Sequence, residues 1–279
     1  MNMNKTHARL ACLATLVLAA SNAWCSADTS ATITNFRVQL IDLDPNDGIA
    51  PSLTFDPYGT SNTQADVYAT LPALVSLDAY HDGTAPFAPI WASETSGGAF
   101  GTASIVGDAF GSGATVSVSA RTSATGGYAI SEGTVGFANQ VEIHRFTLSP
   151  ETELLITGDA SFSVALGSDQ ATEFADSGLY LEITDTNGNW ATDSSWLMTG
   201  IASDASAPQP RTVSASFQVF YDNASASPFE GGVGGYLGAY ANSDGPRLPS
   251  PVPEPGSAAL LLAGLGAIAW RARRRTTRR

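Results

Sequence analysis

Residues 212–219 alternate strictly: Val213, Ala215, Phe217 and Val219 are set against Thr212, Ser214, Ser216 and Gln218. Successive side chains of a β-strand point to opposite faces, so this segment has one apolar face and one hydroxylic face. The same two-residue period runs through Val116, Val118 and Ala120, through Phe162, Val164 and Leu166, and through Leu179, Leu181 and Ile183. No stretch between the two ends of the chain shows the 3.6-residue apolar period of an amphipathic helix. Half-buried strands must cover their apolar faces with another sheet. The expected fold is all-β: an antiparallel β-sandwich of eight or so strands, Greek-key or jelly-roll-like.

Smaller features refine that expectation. The opening strand, residues 32–43, changes parity between Leu40 and Ile41, which predicts a β-bulge there. Residues 141–148 and 153–157 read as strands split by Ser149-Pro150, and residues 235–241 as a last strand. Asn187-Gly188 fits a type I′ hairpin turn. The Gly/Ala/Ser-rich stretches 95–113 and 225–235 read as loops or edges.

The two ends are not part of the sandwich. Residues 1–27 have the form of a secretory signal peptide, with Lys5 and Arg9 ahead of an apolar run and small residues at Ala23, Ser26 and Ala27. Cleavage by signal peptidase is expected after Ala27, with Ala23 as the second choice. Both cysteines, Cys12 and Cys25, fall inside this segment, so a chain cut after Ala27 has no thiol. Trp24 is too bulky to precede a lipidated Cys25. The domain then covers residues 28–241 and a Ser/Gly/Pro linker residues 242–251.

Residues 252–279 form a tripartite tail. Pro253, Glu254 and Pro255 lie in an extended, exposed motif, because proline fixes its own φ and disfavours helix in the residue before it. Residues 256–270 carry no charge and make a helix of about 22 Å, short for a bilayer-spanning segment. Six arginines between Arg271 and Arg279 then hold the end on the cytoplasmic side. Motif, span and arginine run in this order resemble the PEP-CTERM sorting signal of Gram-negative bacteria. The resemblance implies processing at or near Pro253-Glu254-Pro255 by an exosortase, transient anchoring in the inner membrane, and release to the cell surface or extracellular matrix of bacteria that make exopolysaccharide.

Charge narrows what the domain can bind. The chain's one lysine is Lys5, and residues 28–253 hold five arginines against twenty-five acids, a net charge of −20. Such a surface repels nucleic acid and offers little to anionic polymers.

Catalytic signatures are sparse. There is no Gly-x-Ser-x-Gly elbow and no His-Glu-x-x-His. His81-Asp82-Gly83 reads as a solvated turn rather than a catalytic loop, and Glu142 with His144, two apart on a strand, as a polar outer face rather than an acid/base pair. The densest constellation is Asp42, Asp44 and Asp47 around Pro45 and Gly48. These are hard oxygen ligands suited to Ca²⁺, in a run that an Asx-rich turn explains equally well. Exposed Trp91, Trp190 and Trp196 are candidates for packing against sugar rings. The chain therefore reads as an exported, noncatalytic surface or matrix protein associated with exopolysaccharide, biofilm or flocs. The alternative is a secreted glycan hydrolase using two facing carboxylates.

Overall fold

The computed structural model describes residues 25–56, 60–70, 74–124, 127–137, 144–167, 173–185, 196–203 and 210–245. Among them are fourteen strands and no helix. In chain order these are β1 (Cys25–Asp42), β2 (Leu53–Phe55), β3 (Asn62–Ala69), β4 (Val75–Asp82), β5 (Ile90–Ser96), β6 (Ala99–Asp108) and β7 (Gly113–Ala124). There follow β8 (Gly127–Gly136), β9 (His144–Leu148), β10 (Thr152–Leu166), β11 (Glu173–Asp185), β12 (Trp196–Ser203), β13 (Arg211–Asn223) and β14 (Phe229–Gly245).

All pairings are antiparallel. One sheet has the order β13-β10-β1-β7-β6-β5 and the other β12-β11-β14-β8-β3-β4, with β9 paired to β14 and β2 to β9. The first and last strands thus sit inside the sheets, β1 between β10 and β7, and β14 between β11 and β8. The inner faces share one core: Ile33, Val116, Val118 and Phe162 from the first sheet meet Leu179, Leu181, Ile183 and Leu237 from the second. At one end the core becomes aromatic, with Phe36 stacked on Phe137 at 5.3 Å between ring centroids and Phe87 tilted against both.

Several local expectations are corrected. The irregularity in β1 is not at Leu40 and Ile41 but around Asn35, which takes φ +54°: the register to β7 shifts between Ile33 and Phe36 and that to β10 between Thr34 and Arg37. The extra residue lets Ile33 and then Phe36, Val38 and Leu40 face the core, leaving Ile41 outward and exposed. Residues 153–157 and the Phe162 segment are one continuous strand, β10. β14 runs through Gly245, into the stretch whose composition reads as linker. Residues 95–113 hold β6 rather than a loop, and 229–235 begin β14. The Asn187-Gly188 turn lies outside the described residues.

The glycines of these strands explain why composition alone misreads them. A Cβ on Gly133 of β8 would stand 2.1 Å from the Thr102 carbonyl of β6, and one on Gly101 2.3 Å from the Glu132 carbonyl. Here the two sheets approach backbone to backbone. Only glycine permits that spacing, which places Glu132 directly above the contact.

Candidate functional site

The outward faces of the two sheets differ in chemistry. The first sheet presents hydroxyls in cross-strand pairs, Ser104 with Ser117 at 2.8 Å, Thr102 with Ser119 at 3.0 Å and Ser214 with Ser161 at 3.0 Å. The second presents tyrosine and carboxylate. Its outward positions hold Asp66 and Tyr68 on β3, Asp78, Tyr80 and Asp82 on β4, and Tyr128 and Glu132 on β8. They continue with Asp176, Tyr180 and Glu182 on β11 and Tyr236, Tyr240 and Asp244 on β14; on β3, β8, β11 and β14 they alternate with core residues, and on β4 register places them on the same face. Six of the chain's eight tyrosines are therefore on one face.

Register gathers these residues into rows. Asp78 faces Asp66, Asp66 faces Glu132, Glu132 faces Tyr240 and Tyr240 faces Asp176, in one line across five strands. Directly opposed side chains have Cβ atoms about 4.5–5.5 Å apart, so Asp78, Asp66 and Glu132 are immediate neighbours, with Asp176 beyond Tyr240. Beside this row lie the rings: Tyr68 against Tyr128 at 6.1 Å, Phe174 against Tyr240 at 6.1 Å and Tyr180 against Tyr236 at 6.2 Å. Asn242, in register with Ile130 and Phe174 among them, donates from Nδ2 to the Tyr128 hydroxyl at 3.3 Å.

Most of these acids take a hydrogen bond from a neighbour two residues away on their own strand. Gln64 donates to Asp66 at 2.8 Å, Thr134 to Glu132 at 2.9 Å, Tyr80 to Asp82 at 2.8 Å and Tyr180 to Glu182. Those bonds do not neutralise the charge. Burial, then the Asp78 carboxyl, then Glu132 push Asp66 up to about 7, against the single opposing bond from Gln64. Asp66 Oδ1 is shut off from solvent and accepts no bond while both acids are ionised. A proton shared with Asp78 gives it a partner. Burial and Glu132 raise Asp176 as well, while burial, Tyr128 and the nearby acids push Tyr240 up to about 12. Strands β3, β4, β8, β11, β12 and β14 contain no lysine or arginine.

The residues singled out from sequence are scattered. Trp91 is 67% exposed on β5 and packs against His81 at 6.4 Å, away from the tyrosines. Trp196 begins β12 opposite Glu182, and Trp190 lies outside the described residues. Glu142 also lies outside them, and His144 is not on a polar face: it is 1% exposed, edge-on to Phe55 and Phe87, and burial lowers it to about 4. Asp42, Asp44 and Asp47 each accept a bond from the backbone N–H two residues on, the geometry of successive Asx turns. Among the described residues no group of three or more His, Cys, Asp or Glu side chains is placed to hold a metal ion.

Comparison with known proteins decides one point. Residues 251–275 match the PEP-CTERM protein-sorting motif. No curated protein and no solved structure gave a match. The PEP-CTERM match covers Pro253, Glu254, Pro255, the apolar stretch and the first arginines, the residues whose order suggested it. It implies an exported protein, sorted to the cell surface and processed by an exosortase. Residues 1–24 and 246–279, which hold most of the expected signal peptide and the whole apolar segment 256–270, lie outside the described residues. No described helix is long and apolar enough to cross a membrane.

The tyrosine face was missed from sequence, although a signal for it exists. Asp66-x-Tyr68, Tyr80-x-Asp82 and Tyr180-x-Glu182 each place an aromatic and an acid two residues apart, on the polar parity of a strand.

Proposed function

We propose that this is a noncatalytic protein of the cell surface or extracellular matrix, anchored transiently in the inner membrane and released by an exosortase, whose sandwich binds exopolysaccharide through its tyrosine face. The PEP-CTERM motif carries the reading, since it directs the chain to where such polymers lie. The tyrosine face supports the rest: sugar rings pack their C–H faces on aromatic planes while hydroxyls bond to carboxylates. Asp66, Asp82, Glu132 and Glu182 are tied to neighbours on their own strands, which suits a fixed recognition surface. In cell fractionation, replacing Pro253, Glu254 and Pro255 with alanine is expected to hold the protein in the inner membrane. Intact-mass analysis of matrix material is expected to show a chain ending near Pro253-Glu254. A matrix form that retains the arginine run from Arg271 would defeat the processing reading.

One observation favours a hydrolase as the second reading. Asp66, protonated up to about pH 7, faces Glu132, and an acid beside a carboxylate is the pair that glycoside hydrolysis requires. Release of reducing ends from matrix polymer, abolished by Glu132→Gln, would establish it and remove the noncatalytic reading.

A further inference from the structure

We propose that the tyrosine face is a receptor for a polysaccharide bearing free amines, a polymer of partly or wholly deacetylated amino sugars. This rests on the glycan-binding reading and names the class of glycan. A site for neutral sugar offers both donors and acceptors, because each hydroxyl is both. This face offers acceptors: Asp66, Asp78, Asp82, Glu132, Asp176, Glu182 and Asp244. Two of its six tyrosine hydroxyls, those of Tyr80 and Tyr180, already donate to Asp82 and Glu182, so acceptors outnumber the remaining donors.

Charge carries the argument further. The row from Asp78 through Asp66 and Glu132 to Asp176 crosses five strands with no cation on any of them. Adjacent like charges destabilise a sheet, so a partner that neutralises them gains more than one that only fills space. Uronates, sulfated glycans and phosphate-bearing polymers are repelled. Ammonium groups are attracted twice, by the carboxylates and by the tyrosine rings, whose faces draw cations within about 6 Å of the centroid. Tyr68, Tyr128 and Phe174 run alongside the acid row and Tyr240 stands within it, so a ring stacked on the aromatics holds its substituents toward the carboxylates. The fit is that of a repeating chain: acids and rings both recur strand by strand, about 4.8 Å apart.

The test uses the full chain in detergent, a glucosamine hexamer and its fully N-acetylated form, which differ only at nitrogen, and an oligogalacturonate as the anionic control. Calorimetry is expected to show the amine form binding at least about tenfold tighter than the acetylated form. That preference is expected to collapse near 1 M salt, where screening shortens to about 3 Å. Asp66→Asn with Glu132→Gln is expected to bring the affinity for the amine form down to no more than that for the acetylated form, and a matched melting curve guards against misfolding. Equal binding of amine and acetylated forms overturns this inference and leaves the glycan reading standing. Binding of the uronate, with or without Ca²⁺, overturns it as well. If no hexamer binds, the glycan reading itself fails.

Discussion

Asp66 and Glu132 stand directly opposite each other on antiparallel strands β3 and β8, and neither strand contains a lysine or arginine. With Asp78 on the other flank, Asp66 is an acid squeezed between two others. Its carboxyl ionises near pH 7 in the folded chain, against 3.8 for an ordinary aspartate, so the folded state holds the proton more tightly. The contribution of this group is therefore full below about pH 3.8 and is lost as pH rises through about 7.

Asp66→Asn follows from that sign. The variant is expected to melt higher than the parent above pH 7, where the parent carries the repelling charge, and to show no advantage below pH 4. Thermal melts across that range decide it. An advantage independent of pH would mean that the amide merely packs better than the carboxyl.

His144 has the opposite sign. Burial among Phe55 and Phe87 lowers it from 6.5 to about 4, so the folded state disfavours its proton. Stability is full above pH 6.5 and is lost as pH falls toward 4, by about 3 kcal/mol at 1.36 kcal/mol for each pH unit. His144→Phe keeps an aromatic ring there and is expected to move the acid-unfolding midpoint to lower pH, followed by circular dichroism. An unmoved midpoint would place acid sensitivity elsewhere.

How much of this was legible depends on which contacts are local. The strand period is a property of neighbours along the chain, so β10, β11 and β13 are readable from Phe162, Leu179 and Val213 alone. The tail is legible for the same reason, because Pro253, Glu254 and Pro255, the apolar run and the arginines follow one another in sequence. The acid row is not. Asp66, Glu132 and Asp176 meet only through pairings of β3, β8, β14 and β11, each joining residues far apart in sequence. Gly101 reads as a loop residue because its role, the approach of two backbones, involves no side chain, and the same holds for the part Gly133 plays. His144 reads as polar because its partners are phenylalanines from distant segments.

Gly133→Ala tests that approach. The added methyl would meet carbonyl oxygens at 2.1 Å and 2.8 Å, both backbone, so the sheets must separate. The expected loss is about 1–3 kcal/mol, at roughly 2–4 °C in melting temperature for each kcal/mol. Gly238→Ala is the control, since its Cβ would find nothing nearer than 3.5 Å. Similar melts for the two variants would show that the contact is looser than the backbone positions indicate.

The start of the mature chain is a fourth test. β1 begins at Cys25, where Cys25 pairs with Ala124 and Ala27 with Thr122 and Leu166, and Ala27 is fully buried. The Ser26 amide donates to Glu173 at 2.6 Å and its carbonyl accepts from Gly167 at 2.7 Å. A cut after Ala27 deletes these bonds, whereas a cut after Ala23 keeps them. N-terminal sequencing of exported protein is expected to begin at Trp24, leaving one thiol, Cys25. A start at Asp28 would show that the sandwich closes without the first three residues of β1.

The turn at Asp42, Asp44 and Asp47 offers the last test. Each carboxylate accepts a backbone N–H through Oδ1, at 3.1 Å from Asp44, 3.1 Å from Asn46 and 2.6 Å from Ile49. Those bonds fix the turn without an ion, and they direct the three acids along the chain rather than toward a common centre. A cation that bound only the folded state would raise stability by about 2.7 kcal/mol at a hundredfold excess over Kd, and extracellular Ca²⁺ sites have Kd on the order of 10⁻⁴ to 10⁻³ M. The measurement is therefore a melt in millimolar CaCl₂ against EDTA at matched ionic strength. With the acids held as Asx turns, the two curves are expected to coincide, and Asp44→Asn is expected to cost little, because an amide oxygen accepts the same bond from Asn46. A rise of several degrees in Ca²⁺ that Asp44→Asn abolishes would instead assign the ion to these three carboxylates.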